Sequence, residues 1–148
     1  MRFYGFGNYY LSSLQQGLQA AHTVAELFTK YQTDCVQKSV LYNWADEHKT
    51  MVLLNGGNSL DLINLKSHFE YLHNLGMNLP FSYFQEDEQS LNNAVTYVGI
   101  VVPSKYYEIA SEIRKLRETE KNIFLESLIL PAWELALIDV LNSYKLAS

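Results

Sequence analysis

A single cysteine, Cys35, stands in the 148 residues. That excludes an internal disulfide framework and a cysteine-based zinc site. The four histidines, His22, His48, His68 and His73, share no close ligand spacing, so neither a metal nor any other cofactor is implied. A positive balance is missing too: the formal net charge is −5, with Lys and Arg scattered. The chain as a whole therefore has no electrostatic pull on nucleic acid. No stretch is apolar for the roughly twenty residues that cross a bilayer. The opening MRFYGFGNYY lacks the basic end and apolar run of a secretory signal. With three Pro and seven Gly there is no low-complexity linker, and no internal repeat is visible. A cytoplasmic globular protein without membrane partners is the expectation.

What is present is an apolar, tyrosine-rich chain: 48% hydrophobic, 18% charged, with eleven Tyr. The length suits one domain's worth of core. Arg2–Phe6 reads as a first strand. Ser12 or Ser13 then caps a helix running to about Tyr31. Leu14, Leu18, Ala21, Ala25 and Phe28 recur at three- and four-residue spacing, which predicts a core-facing stripe. Gln15, Gln19, His22 and Glu26 form a second stripe on a neighbouring side. Val36 to His48 fits a second helix. Thr50–Leu54 reads as a strand buried on both faces, and Asn55-Gly56-Gly57-Asn58 as a turn. Ser59 is expected to cap a third helix with the face Leu62, Leu65, Phe69 and Leu72, ended by Gly76. Pro80–Phe84 and Ala94–Val102 read as adjacent strands joined by the polar loop from Gln85 to Asn93. After Pro103, Ser104 is expected to cap a fourth helix. The stretch from Ile123 to Leu146 is helical and interrupted at Pro131. The order β-α-α-β-α-β-β-α-α predicts an α/β protein with a mixed four-stranded sheet and helices on both faces.

Several stretches resemble the type II peptidyl-tRNA hydrolases. They are Gln19-Ala20-Ala21-His22 in the first helix, and Trp44 ahead of Lys49-Thr50-Met51-Val52-Leu53-Leu54. Leu75-Gly76-Met77-Asn78-Leu79-Pro80 and the last strand, Ala94 to Pro103, match in the same order. The resemblance covers roughly residues 2 to 108. It implies a domain over 1–108 and a helical extension over 109–148, which either packs on that domain or forms a homo-oligomer interface. The short, tyrosine-rich, Gly-Asn-led form is also similar to small phage-encoded proteins of this superfamily. That implies a place in the host cytoplasm.

The departures from the family bear on function. The resemblance implies cleavage of the ester joining a peptide to tRNA, with lysines before and at the start of the first helix. Here that region is Tyr9-Tyr10-Leu11-Ser12-Ser13, Gln15 stands near the helix lysine's place, and no Lys or Arg occurs between Arg2 and Lys30. The family's acidic residue is met loosely by Glu86 or Asp87, and its last-strand threonine by Thr96.

Two functions follow as expectations. The first is a binding protein on this scaffold, a phage accessory or counter-defence factor that takes up a nucleotide-like small molecule or a host protein. Asn8, Tyr9 and Tyr10 lead into a helix N-terminus, where main-chain N–H groups receive anions, and Gln15 and Gln19 extend that surface. The second is hydrolysis of peptidyl- or aminoacyl-tRNA, with His22 as general base and Gln19, Asp87 or Glu86, and Thr96 beside it. Against each stands a plainer role: His22 as a satisfied polar residue of a helix–sheet contact, the acidic run Glu86-Asp87-Glu88 as a solvated turn, and the tyrosines as packing.

Overall fold

The computed structural model describes residues 1–87, 94–119 and 130–147. Its elements are β1 (Arg2–Asn8), α1 (Ser13–Lys30), α2 (Val36–Asn43), β2 (Met51–Gly57), α3 (Ser59–Asn74), β3 (Phe81–Gln85), β4 (Val95–Val102), α4 (Ser104–Glu118) and α5 (Ala132–Ser143). The four described strands form one mixed sheet in the order β2-β1-β4-β3. β1 runs parallel to β2 and antiparallel to β4, and β3 pairs antiparallel with β4. The α/β class, the mixed sheet and the pairing of β3 with β4 all agree with the sequence reading.

Alternation along β1 divides the core in two. Tyr4 and Phe6 join α3, α4 and α5 on one face, through Leu62, Phe69, Ile113, Leu137 and Leu141. Phe3 joins α1 and α2 on the other, with Ala20, Leu27, Leu41, Trp44 and Tyr97. The apolar residues of α4 and α5 are thus spent on a sheet face. The Tyr106 hydroxyl ties the two helices by donating to Glu134 Oε1 at 2.9 Å.

α1 turns a different side to the sheet from the one its leucines suggest. Gln16, Ala20, Thr23 and Leu27 are buried. Leu14 and Leu18 are 75% and 53% exposed, and Ala21 and Ala25 are exposed as well. The sheet explains this. Gly5 pairs with Gly99 across β1 and β4. A Cβ on Gly5 would strike the Tyr97 ring, one on Gly7 would meet Gln16 and Tyr97, and one on Gly99 would strike Phe3 and the Thr23 methyl. Aromatic rings fill the space above the glycines, and the helix meets them with small and polar side chains.

Several boundaries also move. Asn55-Gly56-Gly57 continues β2 alongside β1 and does not end it in a turn, but the register shifts there, with Gly7 opposite Asn55 and Asn8 opposite Gly57, and of the three only Gly57 takes a positive φ, of 86°. β2 is an edge strand, not one buried on both faces: Met51 is 42% exposed. Asn58, not Ser59, caps α3, in a reciprocal capping box with Asp61. Pro103 occupies the cap position of α4, with no side-chain cap from Ser104. α2 ends in a π-helical turn over Trp44–His48, where the Lys49 N–H reaches back to Trp44 O at 2.8 Å. Ser12 caps α1 as expected, and the α3 face Leu62, Leu65, Phe69 and Leu72 is buried as expected.

Candidate functional site

α1 runs antiparallel to β3, which sets four contacts in order along their seam. Gln19 Nε2 donates to Glu86 Oε1 at 2.7 Å. The His22 ring stacks on Phe84 at 4.5 Å between centroids and 13° between planes. Ser82 Oγ donates to Thr23 O at 2.7 Å. Lys30 Nζ donates to Phe81 O at 2.9 Å. Alternation on β3 puts Ser82 and Phe84 on the α1 side, and the 3.6-residue repeat carries Gln19, His22 and Thr23 to it.

The result at the Glu86 end is a half-buried patch. It holds an amide, a carboxylate and an exposed imidazole on an aromatic ring. Gln19 Oε1 is buried with no hydrogen-bond partner among the described residues. Asp87 is exposed at the adjoining position, and Glu88 lies outside the described residues. Thr96 is 3% exposed and its Oγ1 likewise has no partner among the described residues. Phe84 escaped sequence reasoning, although the two-residue repeat of Phe81-Ser82-Tyr83-Phe84 already placed it on Ser82's face.

The N-terminal group sits elsewhere. Asn8 is buried and knots the loop: its Nδ2 donates to Ser59 Oγ at 3.2 Å, its Oδ1 accepts from the Tyr10 N–H, and its carbonyl accepts from Gln16 Nε2. Gln15 closes the α1 capping box, accepting from the Ser12 N–H at 2.9 Å. That box already satisfies main-chain N–H groups of the helix N-terminus. Tyr9 and Tyr10 are exposed, with ring centroids 4.1 Å apart. Tyr10's hydroxyl pushes the Tyr9 phenol above its ordinary pKa, and the Asp61 carboxylate adds to the rise. Of the residues singled out, the structure therefore brings Gln19, His22 and Glu86 together. Asn8, Tyr9, Tyr10 and Gln15 gather at the other end of the first turns of α1.

Among the described residues, no group of three His, Cys, Asp or Glu is placed to hold a metal ion, and no helix is long and apolar enough to cross a membrane. No protein-family model and no curated protein sequence matches the chain.

Proposed function

We propose that the chain is a binding protein whose site is the Gln19–His22–Phe84–Glu86 patch, and that it takes a planar, hydrogen-bonding ligand of the nucleobase kind. The observation that carries this is the 2.7 Å bond from Gln19 to Glu86 beside the His22–Phe84 stack. A carboxylate fixed by an amide presents its remaining lone pairs in a set direction. Glu86 thereby offers acceptors to ring N–H and exocyclic amine donors. The outer face of His22 is a platform on which a flat ring stacks, as bases stack on aromatic side chains elsewhere. The first basic residue on α1 is Lys30, eight positions beyond His22, so a phosphate has no cation to meet on the helix beside the patch.

The scaffold reading remains that of a protein similar to the type II peptidyl-tRNA hydrolases. Its support is the mixed sheet with helices on both faces. A phage accessory or counter-defence role belongs to that same reading. Ester hydrolysis is the second reading, favoured by the meeting of Gln19, His22 and Glu86 on one surface.

One experiment separates them. Peptidyl-tRNA cleavage is followed while nucleosides and their monophosphates are titrated into isotopically labelled protein. The expected result is no cleavage, shifts confined to Gln19, His22, Phe84 and Glu86, and equal affinity for nucleoside and monophosphate. Glu86→Gln then weakens binding about tenfold, the worth of one charge-assisted hydrogen bond. Cleavage that falls with His22→Ala or Asp87→Asn would establish the hydrolase instead. Absence of any nucleoside-dependent shift would end the binding proposal.

A further inference from the structure

At the opposite edge of the sheet, a groove of about 750 Å³ runs between α3 and the segment that follows α5, beside the carboxyl end of β2. Its polar lining comes from separate elements. Asp61, Asn64 and His68 line it from α3, spaced so that they share one helical side. Lys145 lines it from the C-terminal segment. The floor is apolar: Leu65 and Val140 are 4% and 7% exposed.

We infer that this groove binds a small zwitterion of the α-amino-acid class, with its ammonium on Asp61, its carboxylate toward Lys145, and an apolar side chain on Leu65 and Val140. The Asp61 carboxylate is held in place, because its Oδ2 accepts from the Asn58 N–H at 2.9 Å in the capping box. Its other lone pairs remain for a donor. It also occupies the N-terminus of α3, where an inorganic anion would otherwise settle. A ligand with an anionic end alone would meet that carboxylate. A ligand with a cationic end alone would leave Lys145 without use. One with both charges meets a partner on each wall. Tyr144 lies alongside, and its phenol is a further hydrogen-bond donor to the groove at neutral pH.

The site is independent of the α1–β3 patch, and its test reads it separately. Leucine, leucine methyl ester and N-acetyl-leucine are titrated into the full chain, with the amide signals of Asn64 and His68 as readout. Leucine should give saturable shifts. The ester, which lacks the carboxylate, and the N-acetyl form, which lacks the ammonium, should each bind at least tenfold more weakly. Asp61→Asn keeps an acceptor oxygen for the Asn58 N–H, so α3 stays capped while leucine binding falls tenfold or more. Lys145→Met lowers it similarly, and Glu86→Gln leaves it unchanged. No saturation at about 10 mM leucine, ten times a millimolar Kd, would overturn the inference. Equal binding of leucine and N-acetyl-leucine would overturn it as well.

Discussion

The two edges of the sheet are closed by different means. Along β2 the seal is main chain: the Asn55 N–H donates to Lys145 O at 2.9 Å, the Ala147 N–H to Leu53 O at 3.0 Å, and Leu54 bridges Leu146. Along β3 it is side chain. The Tyr31 hydroxyl accepts from the Phe81 N–H and lies within 3.2 Å of Phe81 O, to which Lys30 also donates. The Lys30 ammonium lies 3.9 Å from the Phe81 ring centroid. An open edge invites another strand, so both ends of the sheet carry a guard. The main-chain guard is indifferent to residue type, whereas the β3 guard depends on how α1 is seated. The α1–β3 patch inherits that dependence, and the groove near β2 inherits the position of the C-terminal segment.

The comparison can be broken most forcefully at Leu27, which is wholly buried where α1 meets the sheet. Leu27→Ala should cost about 2–5 kcal/mol in urea denaturation and should also displace the β3 guard. Removing residues 145–148 strips two main-chain bonds from β2. The expected loss is about 1–3 kcal/mol, with concentration-dependent association through the bared edge, read by light scattering. Tyr31→Phe leaves Lys30 on Phe81 O but deprives the Phe81 N–H of its acceptor, for a loss of about 1 kcal/mol. Faster hydrogen exchange at Phe81 and unchanged exchange at Asn55 would show that the two guards act separately.

Alkaline pH sharpens the contrast further. Burial raises the phenols of Tyr31, Tyr97, Tyr106 and Tyr144 above their ordinary value of 10.0. Above about pH 10 the unfolded chain loses these protons while the folded chain retains them. Stability therefore falls as pH rises through that range. Lys30 works in the opposite sense, because burial lowers its pKa from 10.5; as pH rises through its folded value toward 10.5, the cost of burying its charge disappears. Tyr97→Phe removes one of the four phenols along with a hydroxyl that has no partner among the described residues. Its expected effect is a gain within about 1 kcal/mol and a shallower alkaline loss. The smallest change is Leu18→Ala on the outer side of α1, within about 0.5 kcal/mol. A larger loss would mean that this side is covered.

Much of the fold was legible because some stretches allow one reading only. The α3 face has a single apolar stripe, and Val95–Val102 has β-branched residues and a proline stop. α1 offered more than one stripe, and Leu14 and Leu18 lie on the outward side while Leu27 faces the sheet. The choice lay in Gly5 and Gly7 on β1 and in Gly99 on β4, where the spaces and the neighbouring rings select Thr23 and Gln16 over Leu14 and Leu18. Asn55-Gly56-Gly57 has turn composition, yet pairing with β1 and with Lys145 keeps it in the strand, with a shift of register at Gly56. The candidate site was harder still. Gln19 and Glu86 are 67 positions apart, and no local spacing announces such a contact. Family resemblance alone had put them side by side. Phe84 needed the β3 register as well as its own composition.

The position of β1 also governs the order in which the chain can fold. Of the four described strands, the earliest in the chain lies between two later ones, and Arg2 pairs with Val102. During synthesis, β1 therefore has only β2 to pair with until β4 leaves the ribosome, and its Tyr4 waits for Tyr107 of α4 to pack on it. Such distant pairing slows folding, because a long loop closes before any contact rewards it. A nascent chain stalled before residue 95 holds an aromatic, half-paired strand, and that species is the one a chaperone would meet.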